Sequence, residues 1–369
     1  ISPKKIISED GSLSERNDVK VVSIEHKLGT IASPTCVLAF GDIEGASAEL
    51  LAQENGGLKA MFTMMNNARL NVGIQGVSIA ERAYQQALKF SLTRMQGNSI
   101  DGASEGTVAI IDHPDVQRML MDMKSRTEAM RALSLYTANE LDLSKGASSE
   151  EERYKAQENL DILTPIVKAW CTDQGVLISS TGIQIHGGMG FIEETGAAQH
   201  YRDARILPIY EGTNGIQALD LLRRKLTMDD GNVFKRFLSE MKKDLEDCIL
   251  IKEGDLPYIG KKVFKAINML EETADELLVM WKNNKRQAAS GATPFIDMCG
   301  SIFGGWMMAK SALKASQLLK NDDDNKFLIS KISTSSFYID TVLESSLSLK
   351  NVVTNAHKNV EAILYNLKN

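Results

Sequence analysis

One property of this 369-residue chain limits its fold more than any other: from Gly57 to Leu92 apolar residues return at helical spacing almost without a break. Leu58, Met61, Phe62, Met65, Leu70, Val77, Ala80, Ala83, Leu88 and Leu92 fall on one broad face, as they do in an amphipathic helix. At 1.5 Å per residue such a segment is roughly 55 Å long.

Helices of comparable length follow. His113-Pro114 marks a helix start, because proline suits the first turn, and the pattern runs to about Leu143. Ser144 to Glu151 reads as a polar loop, and a third helix spans about Glu152 to Ile185. Two shorter ones cover Glu193 to Arg205 and Thr213 to Leu226. Long antiparallel helices joined by modest loops make a bundle. Asp229-Asp230-Gly231 then breaks the pattern, and helices recur at about 232–252, 258–284, 294–320 and 325–365. In the third of these, Gly300, Gly304, Gly305, Ala309 and Ala312 would let a neighbouring helix approach closely.

Residues 1–45 differ. The β-branched runs Val19 to Ile24 and Cys36 to Phe40 are separated by turn clusters, which reads as strands and hairpins. So few short strands form an incomplete sheet with open edges, and with Ile1 in first place the sheet is expected to continue upstream. The predicted fold is mainly α: a partial β-domain over 1–56, a helical bundle over 57–228 and a second helical domain over 232–369.

A net charge of −6 argues against a broad nucleic-acid or anionic-membrane surface; Arg223-Arg224-Lys225 reads as a solvated helix end. The four cysteines, Cys36, Cys171, Cys248 and Cys299, lack any metal-ligand spacing. They are expected to be reduced core thiols of a cytoplasmic protein. Neither a membrane span nor a signal-peptide pattern occurs.

Two stretches carry candidate chemistry. In Gln184-Ile185-His186-Gly187-Gly188-Met189-Gly190-Phe191, three glycines after a helix allow a left-handed stop and bare amides near a ligand. Taken alone, this is more often a plain helix terminator. In Ile209-Tyr210-Glu211-Gly212-Thr213-Asn214, Thr213 or Asn214 can cap a following helix, whose free amides favour nearby negative charge. A carboxylate on that apolar, glycine-flanked turn suits a general base for a weakly acidic C–H, although a solvated loop glutamate is the default.

The set of motifs resembles the acyl-CoA dehydrogenase family. Tyr210-Glu211-Gly212-Thr213 with Ile216-Gln217 is similar to the family's catalytic segment, and Gln184 to Gly188 with Gly190-Phe191 to its flavin-contacting segment. Arg202-Asp203-Ala204, Ala68-Arg69, Gly73, Arg94, Gln96-Gly97 and Glu25 to Gly29 fall in the family's order, so the likeness covers roughly residues 1–228. Some branches carry the base just before the arginine of the long helix; Ala68 stands there, so the resemblance assigns the base to Glu211. It implies that Glu211 takes the α-proton of an acyl-CoA thioester while a hydride leaves the β-carbon for FAD, giving a trans-2-enoyl-CoA. Arg69 and Gly212 would lie on the substrate side, an ion pair within the bundle being the other reading of Arg69. Arg94, Gln184, Gly187, Gly188 and Thr213 would hold FAD, shared across subunits of a homo-oligomer, and no metal is implied. The electron acceptor would be an electron-transfer flavoprotein. The carboxy-terminal region, with Gly291 to Pro294 and Gly304-Gly305-Trp306, resembles the extension of a larger bacterial branch that includes 3-methylmercaptopropionyl-CoA dehydrogenases, which suggests a short or thioether acyl chain. Two other readings are a noncatalytic DNA-binding relative and an acyl-CoA oxidase.

Overall fold

Strand gives way to helix where the period of the sequence changes. The computed structural model describes residues 1–103, 105–251, 254–355, 357–360, 362–363 and 367. Its contacts divide the chain into two compact units, Ile1–Ala68 and Arg69–Asn369.

In the first unit, β1 (Lys5–Ile7) pairs antiparallel with β2 (Leu13–Arg16), and β3 (Val19–Ile24) with β4 (Cys36–Phe40). The latter register runs from Val19 opposite Phe40 to Ile24 opposite Cys36, with a shift between Val21 and Ser23. Asn17 ties the strands together: its amide donates to Pro3 O and Ser47 O, both at 2.8 Å, and its Oδ1 accepts from Ser47 N at 2.9 Å. Val21, Val22, Ile24, Val37, Leu38 and Phe40 are exposed. Cys36, expected in a core, is only half-buried, because this two-stranded ribbon offers no core to enter. The unit ends inside α1 (Gly57–Thr93).

In the second unit, α1 from Arg69 onward, α2 (Pro114–Gly146) and α3 (Glu150–His186) run up, down and up. Arg131 of α2 bonds Glu81 of α1, and Arg126, Ser134 and Glu140 of α2 meet Gln174, Cys171 and Asn159 of α3, which makes α2 antiparallel to both. α1 and α3 lie parallel in close contact. A methyl on Gly76 would sit 2.4 Å from Cys171 O, and one on Gly73 2.6 Å from a Val167 methyl; only glycine lets the two helices approach this far. Helix α3 opens with a reciprocal capping box, Ser149 with Glu152, two residues before its expected start.

Helix α4 (Ala197–Ala204) and α5 (Asn214–Asp220), extended by a π-turn over Leu221–Lys225, complete the bundle. Asp229, Asp230 and Gly231 all have positive φ and turn the chain sharply. Beyond them come α6 (Asn232–Asp244), α7 (Glu246–Leu250), α8 (Leu256–Asn283), α9 (Lys285–Ser290), α10 (Ala292–Leu319), α11 (Lys326–Tyr338), α12 (Glu344–Ser346) and α13 (Leu349–Asn355). Central to this layer is α10, whose small residues seat large ones: a methyl on Gly300 would fall 2.2 Å from the Trp170 ring, and Tyr338 OH donates to Ser301 O at 2.9 Å. One continuous apolar core runs from Leu70 to Val353 through both helical layers.

Several elements depart from the expectation. Strands β5 (Met95–Asn98) and β6 (Thr107–Ala109) form a hairpin that the sequence pattern did not disclose. The helix expected over 232–252 breaks at Leu245, where the chain turns Cys248 against Gly260 of α8. The one expected over 325–365 ends as α11 and passes through a π-turn, Ile339–Leu343, that buries Ile339, Val342 and Leu343. Its expected end at Tyr365 lies outside the described residues.

Candidate active site

Between α4 and α5 the backbone makes a bend of unusual shape. Glu211 has φ 56° and Gly212 φ 84°. Positive φ is ordinary for glycine, whereas for glutamate it sets Cβ against the backbone and persists only where the surroundings impose it. The imposing contacts are visible. Asn214 N donates to Pro208 O at 3.0 Å, and Thr213 caps α5, its Oγ1 accepting from Ile216 N at 3.3 Å. Below, Gly212 O accepts from Lys168 Nζ at 2.9 Å and from Gln217 Nε2 at 3.2 Å. The bend thus presents a partly buried carboxylate, and among the described residues neither that carboxylate nor the Glu211 N–H has a hydrogen-bond partner in the protein. A carboxylate and a backbone N–H, both without a hydrogen-bond partner among the described residues, project from one residue.

Around the bend lie buried polar groups. Arg69, 5 % exposed, pairs with Asp220 at 3.6 Å, and its Nη2 lies 3.6 Å from where a methyl on Gly212 would stand. Its Nε is buried without a partner among the described residues. Arg69 is therefore both a bundle ion pair and a guanidinium at the floor of the bend. Tyr210 OH donates to Gln75 Oε1, and burial, reinforced by the neighbouring Glu211 charge, pushes its phenol above the ordinary value. Lys168, Asn214, Gln217, Gln75 and Asp220 were not singled out from the sequence for these roles. A lone lysine within Thr164-Pro165-Ile166-Val167-Lys168-Ala169-Trp170 was a usable signal, since a charge in so apolar a helix stretch needs a partner.

The remaining expected site residues gather elsewhere. Gln184, Gly187 and Gly188 are exposed at the end of α3, sixteen positions beyond Lys168, or about 24 Å along the helix. Arg94, also exposed, follows the end of α1 at the same extremity of the bundle, where Phe90 stacks on His186 with ring centroids 4.4 Å apart. Gly187 closes α3 with φ 59°, its N–H bonded to Gln184 O. Nothing lies within 4 Å of a methyl built on Gly187 or Gly188, so a ligand can rest directly against this backbone. An exposed guanidinium at this extremity suits phosphate oxygens. The structure brings Glu211, Gly212, Thr213 and Arg69 together, and separately Arg94, Gln184, Gly187 and Gly188; within one chain the two groups do not converge. Among the described residues, no helix is long and apolar enough to cross a membrane.

The chain is similar to known proteins over most of its length. The family model for the acyl-CoA dehydrogenase carboxy-terminal domain matches residues 55–226, and the acetyl-CoA dehydrogenase carboxy-terminal-like model matches residues 237–363. The 3-methylmercaptopropionyl-CoA dehydrogenase of Ruegeria pomeroyi is 44 % identical over 93 % of this chain and 58 % of its own length. A butyryl-CoA dehydrogenase of Syntrophomonas wolfei is 34 % identical over 93 % of this chain and 57 % of its own. The chain thus spans less than two thirds of the relatives it matches. Among solved structures, Caenorhabditis elegans ACDH-11 in complex with C11-CoA aligns with a TM-score of 0.73 at 21 % identity, covering 95 % of this chain and 60 % of that one. At that identity it establishes likeness of fold alone.

Proposed function

Because the chain belongs to the acyl-CoA dehydrogenase family, we propose that its bend at Glu211 abstracts the α-proton of an acyl-CoA thioester, in an α,β-dehydrogenation that yields a trans-2-enoyl-CoA. The observation that carries the reading is the left-handed Glu211, whose carboxylate and N–H are both free of protein partners among the described residues. The carboxylate would accept the proton, and the N–H would hold the thioester oxygen as negative charge gathers there. Arg69 and Gly212 flank that position on the substrate side. FAD, when bound, supplies the acceptor for the hydride from the β-carbon. Arg94 would meet its pyrophosphate, Gln184, Gly187 and Gly188 its adenosine side, and Thr213 the flavin near the bend.

The separation of these two groups supports a cofactor shared between subunits of a homo-oligomer, each giving one end. The identity to a 3-methylmercaptopropionyl-CoA dehydrogenase supports a short or thioether acyl chain as substrate. An electron-transfer flavoprotein is the proposed acceptor and the cytoplasm the proposed compartment, in keeping with four unpaired cysteines. The two family-model matches also support a domain division of 1–56, 57–228 and 232–369.

Glu211→Gln tests the assignment. Removing a general base costs about 10²–10⁴-fold in turnover, with flavin absorbance of the purified protein unchanged. Turnover near that of the parent, with flavin retained, overturns it.

A further inference from the structure

The buried cation Lys168 has no part in the chemistry above, yet the bend is built on it. It is wholly buried at the middle of α3, where its Nζ donates to Gly212 O at 2.9 Å and Asn214 Oδ1 at 2.8 Å. Asn214 is itself fixed from α3: its amide donates to Ala169 O and Thr172 Oγ1, each at 3.0 Å. The residue that starts α5 and the carbonyl that ends the bend are therefore both fastened to a single ammonium group. Burial pushes Lys168 down to about 8, opposed first by the charge of Asp173, so it remains mainly protonated at neutral pH. Bonds from an ammonium to carbonyl and amide oxygens are charge-assisted and stronger than neutral ones.

Alternatives explain the placement less well. Packing alone would be served by methionine or leucine without the cost of burying a charge. A structural ion pair would place a carboxylate against Nζ, whereas its partners here are a backbone carbonyl and an amide oxygen, both belonging to the bend.

We infer that Lys168 is a positioning residue for the reaction: through the Gly212 carbonyl and Asn214 it holds the bend in the left-handed form that presents Glu211. This rests on the reading of Glu211 as the base. Lys168 Nζ bonds the Gly212 carbonyl and Asn214 rather than the Glu211 side chain, so its action on the proposed base runs through the backbone.

The test compares Lys168→Met with Lys168→Gln, which keeps an uncharged hydrogen-bond donor on a side chain one bond shorter. In Lys168→Met, amide deuterium uptake over residues 206–217 at pH 7 is expected to rise about tenfold, with α10 unchanged. With acyl-CoA, kcat is expected to fall about a hundredfold while KM shifts less than threefold. Lys168→Gln is expected to recover at least tenfold in kcat and most of the protection. Parent-like uptake over 206–217 in Lys168→Met overturns the inference. So does uptake that rises equally in α10, or a glutamine variant no better than methionine, since each makes the role one of general packing. Glu211→Gln separates the two claims: it is expected to keep the slow uptake while losing turnover. If it keeps turnover, the assignment of the base fails while the uptake comparison still judges the fastening.

Discussion

The two ends of the α1/α3 pair solve opposite problems. Near Arg69 and Lys168 the helices bury charge and amide groups, and the Lys168 ammonium is consumed in holding a loop from elsewhere in the chain. Around Arg94 and Gly187 the same two helices leave a guanidinium and bare glycine backbone open to solvent. The first end spends its polar groups internally to fix one conformation; the second keeps them available for a ligand or another subunit. Loss of a side-chain polar group at the first end should therefore register as stability, and at the second as affinity.

The sharpest attempt to break that contrast is Asn214→Leu. It strips Lys168 of one of its two oxygen partners and leaves Ala169 O and Thr172 without their amide donor. A buried charge so exposed to apolar surroundings costs about 2–4 kcal/mol, read as a lowered midpoint in urea with unchanged slope. Gly188→Ala, at the other end and free of neighbours, should stay within about 0.5 kcal/mol of the parent. Equal losses would erase the distinction.

Next in size is Arg94→Ala. With the side chain exposed and without a protein partner among the described residues, folding stability should hold. Affinity for FAD should fall about tenfold, the order of one charge-assisted phosphate contact, and its dependence on salt should weaken. Titration by flavin fluorescence at two ionic strengths measures both. Unchanged affinity would remove Arg94 from the proposed cofactor end.

Gly187→Ala sharpens the same end from the backbone side. There is room for the methyl, but φ 59° opposes it, so a stability loss of about 1 kcal/mol is expected from strain alone, visible as a shift in Tm. A neutral result would mean that the helix terminus relaxes freely.

How far the sequence foretold these ends follows from the range of the contacts involved. The starts of α2 and α5 were legible because Pro114 and Thr213 act on their own first turns. The bend itself was legible as a glutamate beside a glycine. Its fastening was not: Lys168 reaches Asn214 across 46 positions, and no local pattern says which buried carbonyl a lone lysine will meet. The break at Leu245 and the π-turn at Ile339 escaped for a related reason. Both follow the shape of α8 and α10 rather than the helical preference of their own residues. Likewise the β5/β6 hairpin joins residues separated by a stretch with no alternating pattern.

The smallest expected effect lies behind the bend, in a cavity of about 440 Å³ where Asp173 of α3 and Asp297 of α10 both face the lining. Burial raises the Asp297 carboxyl above its ordinary value, the like charge of Asp173 adds to this, and Arg126 opposes it. Between the ordinary value of 3.8 and that raised one, the folded protein binds more protons than the unfolded chain. By linkage, stability is then lost as pH rises through that window, and charged Asp297 costs stability at neutral pH. Asp297→Asn should therefore stabilise at pH 7 by less than about 1 kcal/mol, and the gain should shrink toward zero as the pH approaches the unfolded carboxylate range. A Tm series from acid to neutral pH reads both the sign and the disappearance. A loss at pH 7 would mean that Asp297 is held by its attraction to Arg126 more than it is penalised by burial, and the polar end of the bundle would then extend through the cavity into α10.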